Sequence, residues 1–169
     1  YIDLDMYEET LPLDTMPQRW DSAVAKYGEE YLLEHGIVPW HVPRVLSWLT
    51  KAMKEKNYEK IIKLSADLGH YIGDAHVPLH STKNYNGQLT GQRGIHGLWE
   101  SRLPEIFATD YDFFTGKAKY ISNPSETMWQ AVKESFAAKD SVLLLERQLT
   151  TQMPNDKYSF ETRGSTTVK

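Results

Sequence analysis

In the stretch HYIGDAHVPLH, residues 70 to 80, three histidines and an aspartate stand close together, and GIHGLWES sets His96 four residues before Glu100. Four of the chain's six histidines thus fall between positions 70 and 96. Imidazole and carboxylate groups relay protons near neutral pH or hold a divalent cation. On a helix, residues four apart lie on one face. His70 and Asp74 would then aim together, and so would His96 and Glu100. His80 lies just past a helix break at Pro78 and is free to turn toward the second pair. Three donors, His80, His96 and Glu100, with a fourth position left to water form the pattern of a catalytic zinc; structural zinc is usually closed by four protein ligands. The chain has no cysteine, so disulfides and thiolate ligands are excluded.

Taken singly, each His-x-x-x-acid pair also reads as an ordinary hydrogen-bonded or surface ion pair. Two such pairs with His80 between them, and glycines beside both, favour metal. His76 falls on another side of its helix from His70 and Asp74, and reads as a supporting or core residue. His35 at a helix end, where a cation suits the dipole, and His41 at a helix start read as structural.

The elements that must position these groups are helical. Trp20, Val24, Tyr27, Tyr31 and Leu32 recur at three- and four-residue spacing, which predicts a helix from about Gln18 to Glu34 with Gly36 as its stop. A second helix opens near Pro39 and carries Val42, Val45, Leu46, Leu49, Ala52 and Met53 as one stripe. A third runs from about Tyr58 to Ala75. Its Ile62, Ala66, Gly69 and Gly73 form a small-residue face, which predicts burial on most sides with close backbone approach. Lys63, Asp67, His70 and Asp74 form its polar stripe. Residues 81–93, rich in Ser, Thr, Asn and Gly, predict a loop, and a short helix follows from about Gly94 to Leu103. Asn123, Pro124 and Glu126 make a helix start for a last helix reaching about Thr150 through Met128, Val132, Val142, Leu145 and Leu149. The tail from about 151 lacks a helical period and is expected to be irregular or extended. No hairpin signal appears, so the expected class is all-α, a single helical metal-binding domain over residues 1–169.

Composition bounds the reading further. A chain of 169 residues, 40% hydrophobic and 25% charged, can bury its own core. Its net charge of −4 argues against a general nucleic-acid-binding surface. It leaves room for a phosphodiester site neutralised by metal. No apolar run is long enough to span a membrane. The acidic opening YIDLDMYEET has no apolar core and is not a signal peptide.

The signature His70, Asp74, Pro78, His80, then a loop, then His96 and Glu100, resembles that of the zinc-dependent phospholipase C and single-strand-specific zinc nuclease superfamily. YIDLD resembles the strip that follows a further ligand histidine there, and the resemblance spans roughly residues 1–107. It implies a helical bundle with up to three zinc ions. His80, His96 and Glu100 would hold one, while His70 and Asp74 would contribute to the neighbouring pair, with Asp74 bridging. The other ligands in that family, a tryptophan's amine and carbonyl, two histidines and an aspartate, lie upstream of this strip. The chain is therefore expected to be truncated at its start and to hold one complete site. Substrates implied are a phospholipid headgroup or single-stranded nucleic acid, without a stable nucleic-acid partner. Export, as a secreted or periplasmic protein, is implied by resemblance alone. The short loop between His80 and His96, and Glu100 in place of aspartate, lean toward the phospholipase branch. A non-catalytic helical binding module, its His and acid pairs forming plain hydrogen-bonded networks, is the competing reading of another class.

Overall fold

In a computed structural model, residues 1–7, 13–114, 116–153, 161–163 and 166–168 are described. The described elements are predominantly helical: α1 (Trp20–Tyr27), α2 (Glu29–His35), α3 (Val38–Lys54), α4 (Tyr58–Ala75), α5 (Ile95–Gly97), α6 (Leu103–Phe107) and α7 (Pro124–Gln152). Short 3-10 turns lie at Leu4–Met6, Leu13–Thr15, Pro78–Ser81 and Ala108–Asp110, and a π-turn, Leu98–Arg102, joins α5 to α6. The expected all-α class holds, with one addition. In the tail, β1 (Glu161–Arg163) and β2 (Thr166–Val168) pair antiparallel, Thr162 opposite Thr167. The tail is thus extended and paired over these residues, where no strand pair was expected. No described helix is long and apolar enough to cross a membrane.

The helix expected from Gln18 to Glu34 is two helices. Gly28, at φ +84, ends α1 and precedes α2, a backbone state that favours glycine. Both helices send aromatics inward. Tyr7 meets Tyr27 and Tyr31 edge-on at 5.2 and 5.8 Å, Trp20 meets Trp40 at 6.0 Å, and Trp40 meets Trp129 of α7 at 4.9 Å. Such pairs add about 0.5–1.5 kcal/mol each to their area burial. Their polar ends are used as well: Tyr31 Oη donates to Met6 O and Trp40 Nε1 to Pro17 O. Trp20, Tyr27 and Tyr31 are partly buried and pack against the core.

Pro43 falls inside α3, past its first turn, and leaves Pro39 O without the N–H that a residue other than proline would donate there. Val38, Trp40, Val42, Val45, Leu49 and Ala52 are buried, while Met53 is exposed. α3 and α4 are joined by a turn that uses Lys56 at φ +54, and Asn57 Oδ1 caps α4 by accepting from Lys60 N. α7 packs against α3 and α4. Its buried positions are Met128, Trp129, Ala131, Val132, Ser135, Val142 and Glu146. Leu145 and Leu149, expected on the apolar stripe, are exposed. The side this part of α7 buries is instead that of Val142 and Glu146.

The expectation for α4 is corrected most. Only Ala75 is buried along it, and Tyr58 and Ile62 are 72% and 73% exposed. A Cβ at Gly69 or Gly73 would meet no atom within 4 Å. The glycines therefore admit no neighbouring backbone among the described residues; composition alone had implied one. Gly36 is the opposite case: at φ +91, a Cβ there would lie 2.3 Å from Tyr1 O. The two kinds of glycine predict opposite signs. Gly36→Ala should lose about 1–3 kcal/mol in chemical denaturation, and Gly69→Ala should gain up to about 1 kcal/mol. Equal effects from both substitutions would contradict this packing.

Candidate metal centre

Two buried anchors set the aim of the two central histidines. Leu79 and Ile95, the residues just before His80 and His96, are 0% and 1% exposed and pack with Val142 of α7. Because each anchor faces α7, the next side chain in each segment is turned away from it. Pro78 opens the 3-10 turn that carries His80. Gly94, left-handed at φ +103, turns the chain into α5 and His96. Glu100 then lies within the π-turn, a helix irregularity frequent at functional sites. Bonds to main-chain carbonyls fix the rest: Ile2 N donates to His80 O at 3.0 Å, and the buried Ser135 hydroxyl donates to Ala75 O at 2.8 Å, tying α7 to the end of α4.

These elements bring His80, His96 and Glu100 to one point, with donor atoms all within 4.8 Å of one another. His80 Nε2 lies 3.4 Å from His96 Nε2. Glu100 Oε1 lies 2.9 Å from His80 Nε2, and Oε2 lies 3.2 Å from His96 Nε2. The imidazoles stack at 5.1 Å, 20° from parallel. Two nitrogens each about 2.0–2.1 Å from a tetrahedral zinc stand about 3.3–3.4 Å apart, so the nitrogen spacing suits one zinc. The donors crowd one another: the two Nε2 atoms face each other at 3.4 Å while Glu100 Oε1 faces His80 Nε2 at 2.9 Å. At most one proton can lie between the two Nε2 atoms. A cation satisfies all three groups together.

The outer contacts prepare the same atoms. His96 Nδ1 faces Tyr85 O at 3.2 Å. A proton on Nδ1 donates there and leaves the Nε2 lone pair free for metal, the usual arrangement of a ligating histidine. Asp74 Oδ1 lies 3.2 Å from His80 Nδ1, on the far side of that ring from Glu100. His70 Nε2 lies 3.6 Å from Asp74 Oδ2, with its side chain 71% exposed. Of the five residues singled out from sequence, three converge on one centre. Asp74 touches that group through His80, and His70 stands outside it. His76 is exposed, its Nδ1 2.8 Å from Ile72 O on its own helix, so it supports neither core nor cluster.

Beside the cluster lies a cavity of about 410 Å³ lined by Tyr1, Asp3, Asp74, Leu79, His80, Tyr85 and His96. Sequence reasoning passed over Asp3; Tyr85 belongs to NYNG, residues 84–87, a stretch that from sequence could line a headgroup or a base equally well. Burial and then the neighbouring Asp5 raise the Asp3 carboxyl to about 6, against an opposing pull from His35. Burial lowers the pKa of His80 below its ordinary 6.5, with Glu100 and Asp74 acting against that shift and His96 with it. The loop 81–94 is built rather than slack. Thr82, Asn84 and Gln92 are buried, Asp5 accepts from Thr82 Oγ1 at 2.6 Å and from Lys83 N at 2.9 Å, and Asn84 Oδ1 accepts from Leu89 N.

A ligand imidazole must be neutral, and a lowered pKa keeps His80 neutral further into acid. Zinc affinity, measured by competition with a chromophoric chelator, should hold from pH 7 down to about 6.5 and fall steeply only below that. The sign follows from the direction of the shift: folding stability of the zinc-free chain loses the contribution of neutral His80 as pH drops below 6.5. Affinity that already declines steeply between pH 8 and 7 would contradict the assignment of His80.

Comparison of the chain with protein-family models, with curated proteins and with solved structures returns no match in any of the three. The centre stands on its geometry: two imidazoles and one carboxylate around a point fit for one cation, at the edge of a cavity.

Proposed function

We propose that this chain is the helical core of a zinc-dependent phosphodiester hydrolase of the phospholipase C type. One observation carries the reading: His80, His96 and Glu100 present three donors to one point beside an open cavity, a three-ligand arrangement that leaves room for water. Zinc held there supplies a Lewis acid and brings the pKa of a water it binds near 7.

The chain's own groups have separable tasks. His80 and His96 offer neutral Nε2 atoms and Glu100 a carboxylate. Tyr85 O fixes the His96 ring through Nδ1. Asp3 and Asp74 place two further carboxyl groups on the cavity wall. A phosphodiester anion entering a cavity so lined meets repulsion unless positive charge is present. The acidic wall thus favours a substrate that arrives only once the cation is in place. His70 and Asp74 are proposed as part of a second metal position, in keeping with the resemblance of their spacing to the phospholipase and nuclease signature. The half-exposed Tyr85 ring at the rim gives an apolar surface that a headgroup ester would contact.

The chain loaded with zinc should release phosphorylated headgroup from phosphatidylcholine micelles. Chelator should stop the release and zinc restore it, and His96→Ala should lower the rate by at least about 100-fold. Cleavage of single-stranded DNA or RNA without headgroup release would move the assignment to a nuclease. Rates unchanged in His96→Ala would remove the metal centre from the chemistry. A chain that takes up no stoichiometric zinc would favour a binding module.

A further inference from the structure

Glu146 of α7 lies outside the donor set and the cavity lining, yet it is only 5% exposed and faces a loop residue, Gln92, that is 4% exposed. The Gln92 amide donates to Glu146 Oε2, and also to Leu143 O at 2.6 Å. Arg147 Nη2 approaches Gln92 Oε1 at 3.5 Å, and Thr150 Oγ1 lies 3.3 Å from Glu146 Oε1. A buried carboxylate is expensive unless hydrogen-bonded, so this contact fixes Gln92 firmly to α7. Loops usually run over the surface with polar side chains in water; here a loop amide is drawn inside.

From Gln92 the connection continues to His96 along the backbone. Gln92 N donates to Gly87 O at 2.8 Å. Gly87, at φ +68, sits so close that a Cβ would lie 2.4 Å from Gln92 O. The residue before it is Asn86, whose carboxamide oxygen accepts from Gly94 N at 2.9 Å and His96 N at 3.4 Å. Next to Asn86 is Tyr85, whose carbonyl takes His96 Nδ1. Segment 85–86 thus orients both the main chain and the ring of His96, and Gln92 pins that segment to α7.

We propose that Glu146 is a positioning residue of the metal centre, its buried carboxylate holding Gln92 and thereby the loop that aims His96. It touches neither metal nor substrate. The inference rests on the zinc reading above. Loss of an outer-shell partner commonly weakens metal affinity about 10–100-fold, and this link should act at the lower end because it operates through one intermediate residue.

The test uses the whole chain, cobalt(II) as a spectroscopic probe and zinc in competition with a chelator. Glu146→Leu and Gln92→Leu should each weaken zinc binding by about 10-fold and alter the cobalt visible spectrum, with helical circular dichroism retained. Glu146→Gln, which keeps an acceptor oxygen for Gln92, should recover most of the affinity and the native spectrum; a merely space-filling role would make it no better than leucine. If Glu146→Leu does not fold, Asn86→Ala reads the same link without touching α7. Wild-type affinity and spectrum in folded Glu146→Leu, or in folded Asn86→Ala, overturn the inference while leaving the metal centre intact. A wild-type chain that binds neither metal overturns both.

Discussion

Two imidazoles and a carboxylate converging on one partly buried point are best satisfied by something positive between them. Left to themselves they can share a proton in one pair at a time, and the remaining lone pairs face one another in a medium that magnifies the mismatch. In this chain the mismatch is visible where the two Nε2 atoms face each other at 3.4 Å with room for one proton at most between them. The rest of the fold can be understood as what it takes to hold that unfavourable arrangement in place.

Holding it requires separate parts of the chain to agree. His80 is carried by a 3-10 turn after α4, and His96 and Glu100 by the α5 segment and its π-turn. Among the described residues, no backbone hydrogen bond links these segments directly. Instead Leu79 and Ile95 each insert beside Val142 of α7, so one long helix serves as a common datum. Burying side chains of this size is worth about 1.5–3 kcal/mol apiece, enough to offset some of the repulsion among the donors. α7 is in turn fixed to α3 through Trp40 and Trp129 and to α4 through Ser135. The aromatic cluster therefore contributes to the centre by holding α7 in place.

Legibility in the sequence followed the range of the interaction. The pair His96 and Glu100 was readable because helical spacing is local, and it survives even where the helix widens into a π-turn. The inward aromatics Trp20, Tyr27 and Tyr31 were readable from periodicity. Gly69 and Gly73 were misread: composition reports that a close approach is permitted, and a neighbouring element decides whether it occurs. The break at Gly28 was missed because apolar spacing continues across it, while the sign of one φ angle does not show in a pattern. Gln92 and Glu146 gave no signal at all. A glutamine in a polar loop and a glutamate on a charged helix are ordinary surface residues, and only a contact spanning 54 positions makes them buried partners. Asp5, which receives Thr82 and Lys83 from across the chain, was hidden for the same reason.

The most direct test is X-ray absorption at the zinc edge on the chain loaded with one equivalent of zinc. The account predicts nitrogen and oxygen scatterers at about 2.0–2.2 Å, with the outer-shell signature of two imidazoles, falling to one in His96→Ala. A spectrum of hexaaquo-type zinc with no imidazole signature, identical in the wild-type chain and in His96→Ala, would contradict it.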